Sequence, residues 1–457
     1  MRTERLVVVG ASLAGLRAVE AARKADPELP ITLIGAEEHL PYDRPPLSKA
    51  FLDLDADTDG APEVPTFRDE AHLRDELRVD LRLGIRATAL APDGRLLILD
   101  GDAIPYSALI VTTGTTPRTL PGTEGLAGVH CLRTLDDAVA IRAALDAGAR
   151  TVVVGAGFIG SEVACAARKR GLPVTVLESL PTPLVRSVGQ ATGAVCAALH
   201  LRHGTDLRCG VGVARVRGRN HVESVLLDDG TVLPADLVVV GIGVRPATDW
   251  LRGSGIDLHE RDGGVVCDAT LATNLPGVYA AGDVAHFPHP VFDGLQMRLE
   301  HWTNAADQGA TAARNALNPL AATEVTKVPY FWSDWYDSRI QFVGVPEADE
   351  VRVISDDLSR ARDGGARTAR NPSMGAADDL SRARDGGAPT ARNPSMGAAV
   401  EVDQDGFLAL YRRGDRLTGA LTIDRPAQIM KYSRLIANRA SWGQALEFAG
   451  AVPATAV

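Results

Sequence analysis

Near the start of the chain stands the stretch Leu6-Val-Val-Val-Gly-Ala-Ser-Leu-Ala-Gly15, in which a β-branched strand runs into a glycine-rich turn before an alanine-rich helical segment. Gly10 permits a tight turn, the small Ser12 lets the backbone approach a pyrophosphate, and Gly15 lets the helix pack closely on the strand. Glu37 ends the next apolar strand, where a carboxylate can bind ribose hydroxyls. The stretch predicts a dinucleotide-binding βαβ unit.

A second unit of the same kind runs from Thr151 to Glu178. Its turn, Gly155-Ala-Gly-Phe-Ile-Gly160, carries the complete G-x-G-x-x-G spacing between a valine-rich strand and a helical segment. Glu178 favours a 2′-hydroxyl and repels a 2′-phosphate, and the next residues supply no arginine, so NADH is predicted over NADPH. Two nucleotide units in one chain suggest hydride exchange between a nicotinamide and a flavin.

Composition restricts the class of protein further. The 457 residues predict two to four domains, and 45% hydrophobic residues can form sizeable cores. A net charge of −10 leaves no overall basic surface for nucleic acid or anionic lipid. No apolar run approaches the roughly 20 residues of a membrane span, and no signal peptide is recognisable, so a cytoplasmic protein is predicted. Five cysteines without a close pair argue against a disulfide framework, a zinc site or an iron–sulfur cluster, and no metal is expected.

A tandem repeat interrupts the last third of the chain. Residues 356–377 and 378–399 are two copies of a 22-residue unit that differ only where Arg367 becomes Pro389. The unit is rich in Gly, Ala, Arg and Asp and holds too few apolar residues to form a core, so a flexible insertion is predicted. Glu350–Ile354 and Phe407–Tyr411 read as strands on either side of it.

Several further motifs, together with the two glycine turns, resemble the FAD-dependent pyridine nucleotide-disulfide oxidoreductases, and within them the ferredoxin reductases that serve cytochrome P450s and Rieske oxygenases. The motifs are Pro41-Tyr-Asp-Arg-Pro-Pro-Leu-Ser-Lys49, Thr112-Thr-Gly114, Gly241-Ile-Gly-Val-Arg-Pro246, Ala280-Ala-Gly-Asp283, Glu300-His-Trp302 and Phe331-Trp-Ser-Asp334. The resemblance covers nearly the whole chain outside the repeats.

The resemblance implies an α/β fold with two Rossmann-like domains and a C-terminal α+β domain. It implies an FAD domain at 1–118 and 248–325, an NAD domain at 119–247, and an interface domain at 326–457 with the repeat insertion at 356–399. Residues implied at the FAD site are Gly10, Ser12, Ala14, Gly15, Glu37, Arg44, Lys49, Ala87, Thr113, Gly114, Arg133, Asp283, Trp302 and Trp332. Residues implied at the NAD site are Gly155, Gly157, Ile159, Gly160, Glu162, Glu178, Gly241 and Gly243.

Two of these residues are implied in catalysis. Lys49 and Glu162 resemble a paired lysine and glutamate beside the flavin, where a cation can stabilise the anionic reduced ring and a carboxylate can position the nicotinamide amide. His301 can donate a hydrogen bond near the flavin or lie in the core as an ordinary buried histidine.

The expected electron acceptor is an iron–sulfur ferredoxin, for example one with a [2Fe-2S] cluster. Relatives that use a redox-active cysteine pair need it beside the flavin, and Pro45-Pro-Leu-Ser-Lys49 contains none, so disulfide reductase chemistry is disfavoured. Two alternatives stay open at this point. One is an NADH dehydrogenase that reduces rubredoxin, a quinone or a small oxidant, and the other is a redox-controlled NAD-binding flavoprotein of the apoptosis-inducing type.

An acidic ferredoxin requires a local basic face on this acidic chain. The segment from Leu408 to Leu446 holds seven basic residues against two acidic ones. Arg412, Arg413, Lys431 and Arg434, together with Arg339, are therefore the predicted docking surface, although a basic solvent-facing surface without a partner explains them equally well.

Overall fold

A computed structural model describes residues 3–53, 62–354, 369–370 and 406–450. Almost all of the two repeats, 356–377 and 378–399, lies outside these residues, so the predicted flexible insertion stays a prediction. In the part of the chain that is described, no helix combines the length and the apolar character needed to cross a membrane.

The first glycine motif lies in a parallel sheet. The elements up to residue 117 are β1 (Leu6–Val9), α1 (Leu13–Ala25), β2 (Ile31–Ile34), a 3₁₀ turn (Pro45–Ser48), a π turn (His72–Glu76), β3 (Val79–Arg82), β4 (Ala87–Ala91), β5 (Leu96–Leu99), β6 (Asp102–Pro105), β7 (Ala108–Val111) and β8 (Thr115–Pro117). Strand β1 is fully buried and pairs in parallel with both β2 and β7. Such a β-branched strand, buried on both faces, is typical of doubly wound sheets.

The second glycine motif repeats this arrangement. Its elements are β9 (Val129–His130), α2 (Leu135–Asp146), β10 (Thr151–Val154), α3 (Phe158–Lys169), β11 (Val174–Glu178), α4 (Val185–Val188), α5 (Gln190–Arg202), β12 (Asp206–Cys209), β13 (Val213–Gly218), β14 (Val222–Leu227), β15 (Val232–Pro234), β16 (Leu237–Val240) and β17 (Val244–Pro246). The parallel sheet has the order β12-β11-β10-β16-β9. The sequence-based prediction of two βαβ units is therefore confirmed.

After the second unit the chain returns to the first sheet. The elements here are a 3₁₀ turn (Asp249–Leu251), β18 (Val265–Val266), β19 (Val278–Ala280), β20 (Ala285–His289), a 3₁₀ turn (Pro290–Phe292), β21 (Leu295–Arg298), α6 (Trp302–Leu317) and a 3₁₀ turn (Pro319–Ala321). Strand β19 pairs in parallel with β7, which gives the sheet order β19-β7-β1-β2-β3. Strands from before and after the second unit therefore share one sheet, and the predicted domain ranges stay a prediction.

The C-terminal part is an antiparallel sheet with two helices. It comprises β22 (Tyr330–Trp335), β23 (Ser338–Gly344), β24 (Glu350–Ile354), β25 (Ala369–Arg370), β26 (Phe407–Arg413), β27 (Arg416–Ile423), α7 (Pro426–Ala437) and α8 (Trp442–Phe448), in the sheet order β22-β23-β27-β26-β24-β25. Strands β24 and β26 pair with Ile354 opposite Leu408. The two strands predicted to flank the repeats are thus confirmed.

Two glycines show why the nucleotide turns need this residue. Gly10 has a φ of +118°, and a Cβ there would lie 2.2 Å from the backbone oxygen of Thr112. Gly155 has a φ of +100°, and its Cβ would lie 2.3 Å from the backbone oxygen of Gly241. At both residues the turn packs directly against the backbone that follows a neighbouring parallel strand, so any side chain would force the two apart.

Candidate functional site

A cavity of about 790 Å³ joins the first glycine turn to the start of α3 in the second unit. Strand β22 of the C-terminal sheet closes one side of it. Most predicted site residues line this cavity: Gly10, Ser12, Ala14, Glu37, Arg44, Lys49, Ala87, Thr113, Gly114, Arg133, Ile159, Glu162, Asp283, Trp302 and Trp332. The fold therefore collects them from three regions of the chain into one space.

The other predicted residues lie outside the cavity lining: Gly15, Gly155, Gly157, Gly160, Glu178, Gly241 and Gly243. Gly15 and Gly160 hold each helix against its own turn, since a Cβ would lie 2.0 Å from the oxygen of Gly10 and 2.3 Å from that of Gly155. A Cβ added to Gly157 would have no neighbouring atom closer than 3.8 Å, so this glycine is not required by packing. Gly15 and Gly160 therefore shape the turns rather than the cavity.

Glu162 is the most deeply buried charged group of the cavity, with 3% of its side chain exposed. Lys49 Nζ lies 2.7 Å from Glu162 Oε1, and the hydroxyls of Ser48 and Ser333 donate short hydrogen bonds to the two carboxylate oxygens. Trp335 Nε1 donates to Ser333 Oγ at 2.9 Å. A buried carboxylate needs such partners. The network holds Glu162 and Lys49 in one orientation at the meeting point of the two glycine units.

A second network surrounds Glu37. Arg44 Nη2 lies 2.6 Å from Glu37 Oε1, and the Tyr42 hydroxyl donates to Glu37 Oε2 at 2.5 Å. Burial opposes ionisation of Glu37, but Arg44 and Tyr42 outweigh it and hold the pKa of the carboxyl below its usual value. Arg44 also reaches Ser12 Oγ at 3.4 Å. A cation thus lies between the glycine turn and the Glu37 carboxylate, where it can contact a pyrophosphate.

A third group lies at the ends of the central strands. Arg133 Nη2 is 3.6 Å from Asp283 Oδ2, and a Cβ on Gly114 would come within 3.2 Å of the same guanidinium group. Arg133 donates no side-chain hydrogen bond to any of the residues that the structure describes. The carboxyl ends of parallel strands are the usual binding edge of such sheets.

Aromatic side chains cover another wall of the cavity. The rings of Trp302 and Trp332 lie 6.4 Å apart, edge to face, and Trp302 Nε1 donates to Asp43 Oδ1 at 2.7 Å. His301 packs on Phe331 with ring centres 5.1 Å apart. Its buried Nδ1 has no hydrogen-bond partner within the described residues, and burial lowers its pKa to about 4. The ring is therefore neutral at physiological pH.

Glu178 serves the second glycine turn from outside the cavity. Its Oε2 accepts a hydrogen bond from the amide of Ala156 at 2.9 Å, and its Oε1 accepts one from Leu180 at 2.9 Å. The carboxylate thus fixes the loop as well as presenting a negative charge beside it.

Several cavity residues were not singled out from the sequence. Tyr42, Asp43, Ser48, Phe158 and Phe331 line the cavity, and Ser333 completes the Glu162 network. The sequence did hold a signal for each serine, since Ser48 is next to Lys49 and Ser333 lies within the Phe331-Trp-Ser-Asp334 motif. A serine inside a motif does not reveal which distant carboxylate it contacts.

All five cysteines lie in the described residues and are free thiols. Only Cys131 lines the cavity among these residues. Burial raises the pKa of all five thiols above the ordinary value, to about 12 for Cys165 and Cys196. None of them has the stabilised thiolate that redox cysteines require.

Similarity to known proteins covers both the nucleotide units and the C-terminal sheet. Residues 4–309 match the family model described as pyridine nucleotide-disulphide oxidoreductase, and residues 330–388 match the reductase C-terminal model. The ferredoxin–NAD(+) reductase component of an anthranilate 1,2-dioxygenase system from Burkholderia cepacia is 38% identical over 79% of this chain and 86% of its own. Putidaredoxin reductase from Pseudomonas putida is 30% identical over 95% of this chain and 92% of its own.

Solved structures agree with these relatives. The reductase in the crystal structure of the covalent putidaredoxin reductase–putidaredoxin complex aligns with a TM-score of 0.78 at 30% identity, over 95% of this chain and 93% of its own. A NAD-dependent persulfide reductase from A. fulgidus gives the same TM-score at 21% identity, over 96% of this chain and 78% of its own, which shows a shared fold alone. The chain belongs to the pyridine nucleotide-disulphide oxidoreductase family, an oxidoreductase family, and carries that family's reductase C-terminal domain.

Proposed function

We propose that this chain is an NADH-dependent ferredoxin reductase that feeds electrons through an iron–sulfur ferredoxin to a P450 or Rieske oxygenase. The relatives named as ferredoxin–NAD(+) reductase components and as putidaredoxin reductase support this function. Bound FAD would supply the conversion between a two-electron donor, NADH, and a one-electron protein acceptor. A cytoplasmic location remains a prediction.

The residues present fit FAD. The cavity volume falls within the range of ligand sites, and Arg44 and Arg133 supply cations beside the first glycine turn. Glu37 is the carboxylate for an adenosine ribose, and Asp283 lies at the strand ends where a polyol chain would run. His301 lines the same cavity, and its buried Nδ1 has no hydrogen-bond partner within the described residues.

The Lys49–Glu162 pair carries the functional proposal. Lys49 follows the 3₁₀ turn of the first unit, Glu162 lies in the first turns of α3 in the second unit, and Ser333 lies in the C-terminal sheet. Lys49 can stabilise negative charge that develops beside it, and Glu162 can accept a hydrogen bond from a carboxamide. Glu162 is 3% exposed and Lys49 is 21% exposed, so the carboxylate is shielded from bulk water and the ammonium group partly so. The position where a cysteine pair would stand is instead occupied by Pro45 to Lys49.

The decisive experiment measures cytochrome c reduction by the purified yellow protein with NADH, with and without a small iron–sulfur ferredoxin, and again with NADPH. We expect ferredoxin to accelerate the NADH reaction strongly and NADPH to be a poor donor. If NADH reduces the flavin promptly but ferredoxin has no effect, the family assignment stands and the proposed ferredoxin partner is wrong. A slow reduction that leaves a long-lived charge-transfer complex would favour the redox-controlled binding protein instead.

Replacement of Glu178 tests the preference for NADH. We expect Glu178→Gln to lower kcat/KM for NADH by about tenfold or more, because a charged hydrogen-bond acceptor contributes about 1.5–3 kcal/mol, and to raise kcat/KM for NADPH. Gln keeps one acceptor for the amides that Glu178 binds. Asp206→Asn on the neighbouring strand β12 is the matched control, since Asp206 pairs with Arg208. An unchanged NADH to NADPH ratio would contradict the role of Glu178.

The geometry of the C-terminal sheet bears on where ferredoxin docks. Arg412 lies 2.8 Å from Glu350 and packs over the Trp442 ring, whereas Arg413, Lys431 and Arg434 are exposed. Arg339 lies 6.0 Å over the ring of Trp332, which lines the cavity. Arg339 in β23 precedes Ile340, which pairs with Ile423 at the end of β27. Arg413 in β26 pairs with Arg416 at the start of β27. The length of β27 therefore separates the two arginines by about 20 Å.

We propose that ferredoxin docks at the Arg339 end of the sheet, because electrons leave from the cavity beneath Trp332. Arg339→Glu is expected to raise the KM for ferredoxin about tenfold and to weaken its salt dependence, while NADH–ferricyanide activity is retained. The Arg413→Glu/Lys431→Glu/Arg434→Glu variant tests the patch predicted from the sequence. A larger effect in this triple variant than in Arg339→Glu would move the docking surface to the other end.

A further inference from the structure

A histidine–aspartate cluster lies outside the cofactor cavity, between the loop that precedes β18 and strand β20. It consists of His259, Asp262 and His286, and none of the three lines the cavity. The cysteine spacing that argues against a zinc site places no restriction on histidine ligands. The cluster has no role in the function proposed above.

The ligand atoms of the cluster are spaced as a metal requires. Asp262 Oδ1 lies 2.9 Å from His286 Nε2 and 3.3 Å from His259 Nδ1, and all three atoms lie within 4.8 Å of one another. The two imidazole rings stack with centres 4.0 Å apart and planes 11° apart. In a tetrahedral zinc site with bonds of about 2.0–2.2 Å, neighbouring ligand atoms are about 3.3 Å apart.

Two nitrogen atoms of the cluster lack hydrogen bonds. Nδ1 of His259 and Nδ1 of His286 are both buried and have no hydrogen-bond partner within the described ranges. The His286 side chain is 10% exposed. His259 Nδ1 faces the Asp262 carboxylate without a hydrogen bond, which is costly unless another group satisfies it. His286 Nε2, in contrast, is already hydrogen-bonded to that carboxylate at 2.9 Å.

The surroundings of Asp262 resemble the outer layer of a metal site. Asp262 Oδ2 accepts a hydrogen bond from Arg298 Nε at 2.8 Å, and Oδ1 accepts one from the amide of Gly264 at 3.1 Å. Such hydrogen bonds orient ligating carboxylates in metal sites. Arg298 is held in turn by Glu300 at 2.7 Å, which offsets its positive charge, and by the carbonyl oxygen of Asp283 at 2.9 Å.

We propose that His259, Asp262 and His286 form a site for a divalent transition-metal ion of the zinc class. The ligands would be His259 Nδ1, His286 Nε2 and Asp262 Oδ1, with a fourth position open to water or another small ligand. Imidazole and carboxylate ligands suit Zn²⁺, and copper(II) is expected to bind more tightly still. Arg298 connects the site to Asp283 and Glu300, which line the cofactor cavity.

The test is isothermal titration of ZnCl₂ into chelator-treated, flavin-loaded protein. We expect one tight equivalent for the unmodified protein and an affinity weaker by about 100-fold for His259→Ala, which removes a partly exposed ligand from a loop. His72→Ala is the matched control, since His72 Nδ1 lies 2.8 Å from Glu76 but has no third ligand nearby in the clusters found among the described residues. This control is expected to keep the tight equivalent.

Flavin content and circular dichroism establish that each variant is folded. His286→Asn provides a second ligand variant, and it too is expected to lose the tight equivalent. Absence of a tight equivalent in the unmodified protein would overturn the proposal. Retention of that equivalent in folded His259→Ala, or its loss in His72→Ala, would also overturn it, because zinc would then bind elsewhere.

Discussion

The variant Lys49→Met is expected to slow reduction of the bound flavin by NADH by about 100-fold, measured by stopped-flow absorbance. The reason is the loss of a fixed cation beside the reacting groups, a change that costs about this much in comparable electrostatic sites. The variant should also unfold at a lower temperature. Glu162 is 3% exposed, and an unpaired buried charge costs about 3–5 kcal/mol.

A double variant separates the two effects. In Lys49→Met/Glu162→Gln the buried charge is gone, while Ser48 and Ser333 can still hydrogen-bond the amide. Thermal stability should therefore recover toward that of the unmodified protein, and the slow reduction should persist. If both rate and stability recover together, Lys49 acts only as a counter-ion to Glu162.

Lys169→Met is the matched control for Lys49. Lys169 Nζ lies 2.8 Å from Asp53 Oδ1, nearly the same separation as in the buried pair, but the two side chains are 45% and 37% exposed to solvent. Exposed pairs of this kind contribute about 0–1 kcal/mol. This variant should therefore keep its unfolding temperature and its reduction rate, and a large loss would show that removal of any lysine in this region is harmful.

The second large effect is expected for Gly10→Ala, which should yield a colourless protein without bound FAD. The methyl group would lie 2.2 Å from the Thr112 carbonyl oxygen, and the φ of +118° is unfavourable for alanine. Together these costs exceed about 3 kcal/mol, which lowers FAD affinity by more than about 100-fold if the turn moves to relieve them. The flavin to protein absorbance ratio of the purified variant measures the loss.

Gly101→Ala separates the clash from the backbone strain. Gly101 also has a positive φ, +81°, but a Cβ there would have no atom within 4 Å. This variant should bind FAD normally with a modest loss of stability of about 1–2 kcal/mol. A yellow Gly10→Ala protein would show that the strand and turn can separate without disturbing the cofactor.

The sequence alone determined the two nucleotide units and the strands around the repeats. Gly10 and Gly155 mark where a strand turns into a helix, and the runs Leu6–Val9 and Thr151–Val154 are too uniformly apolar for a strand with one solvated face. Glu350–Ile354 and Phe407–Tyr411 were recognisable from their β-branched, aromatic and other apolar residues. These features are local, since turn chemistry and residue periodicity act within a few residues.

The tertiary structure alone decided which distant residues meet. Ser48 and Ser333 lie 114 and 171 residues from Glu162, and only the packing of α3 against the 3₁₀ turn and β22 brings them to its two oxygens. The order of strands likewise sets Arg339 and Arg413 at opposite ends of one sheet. His259 and His286 stack because β18 pairs with β20. Such contacts depend on how separate elements assemble, which local sequence patterns do not encode.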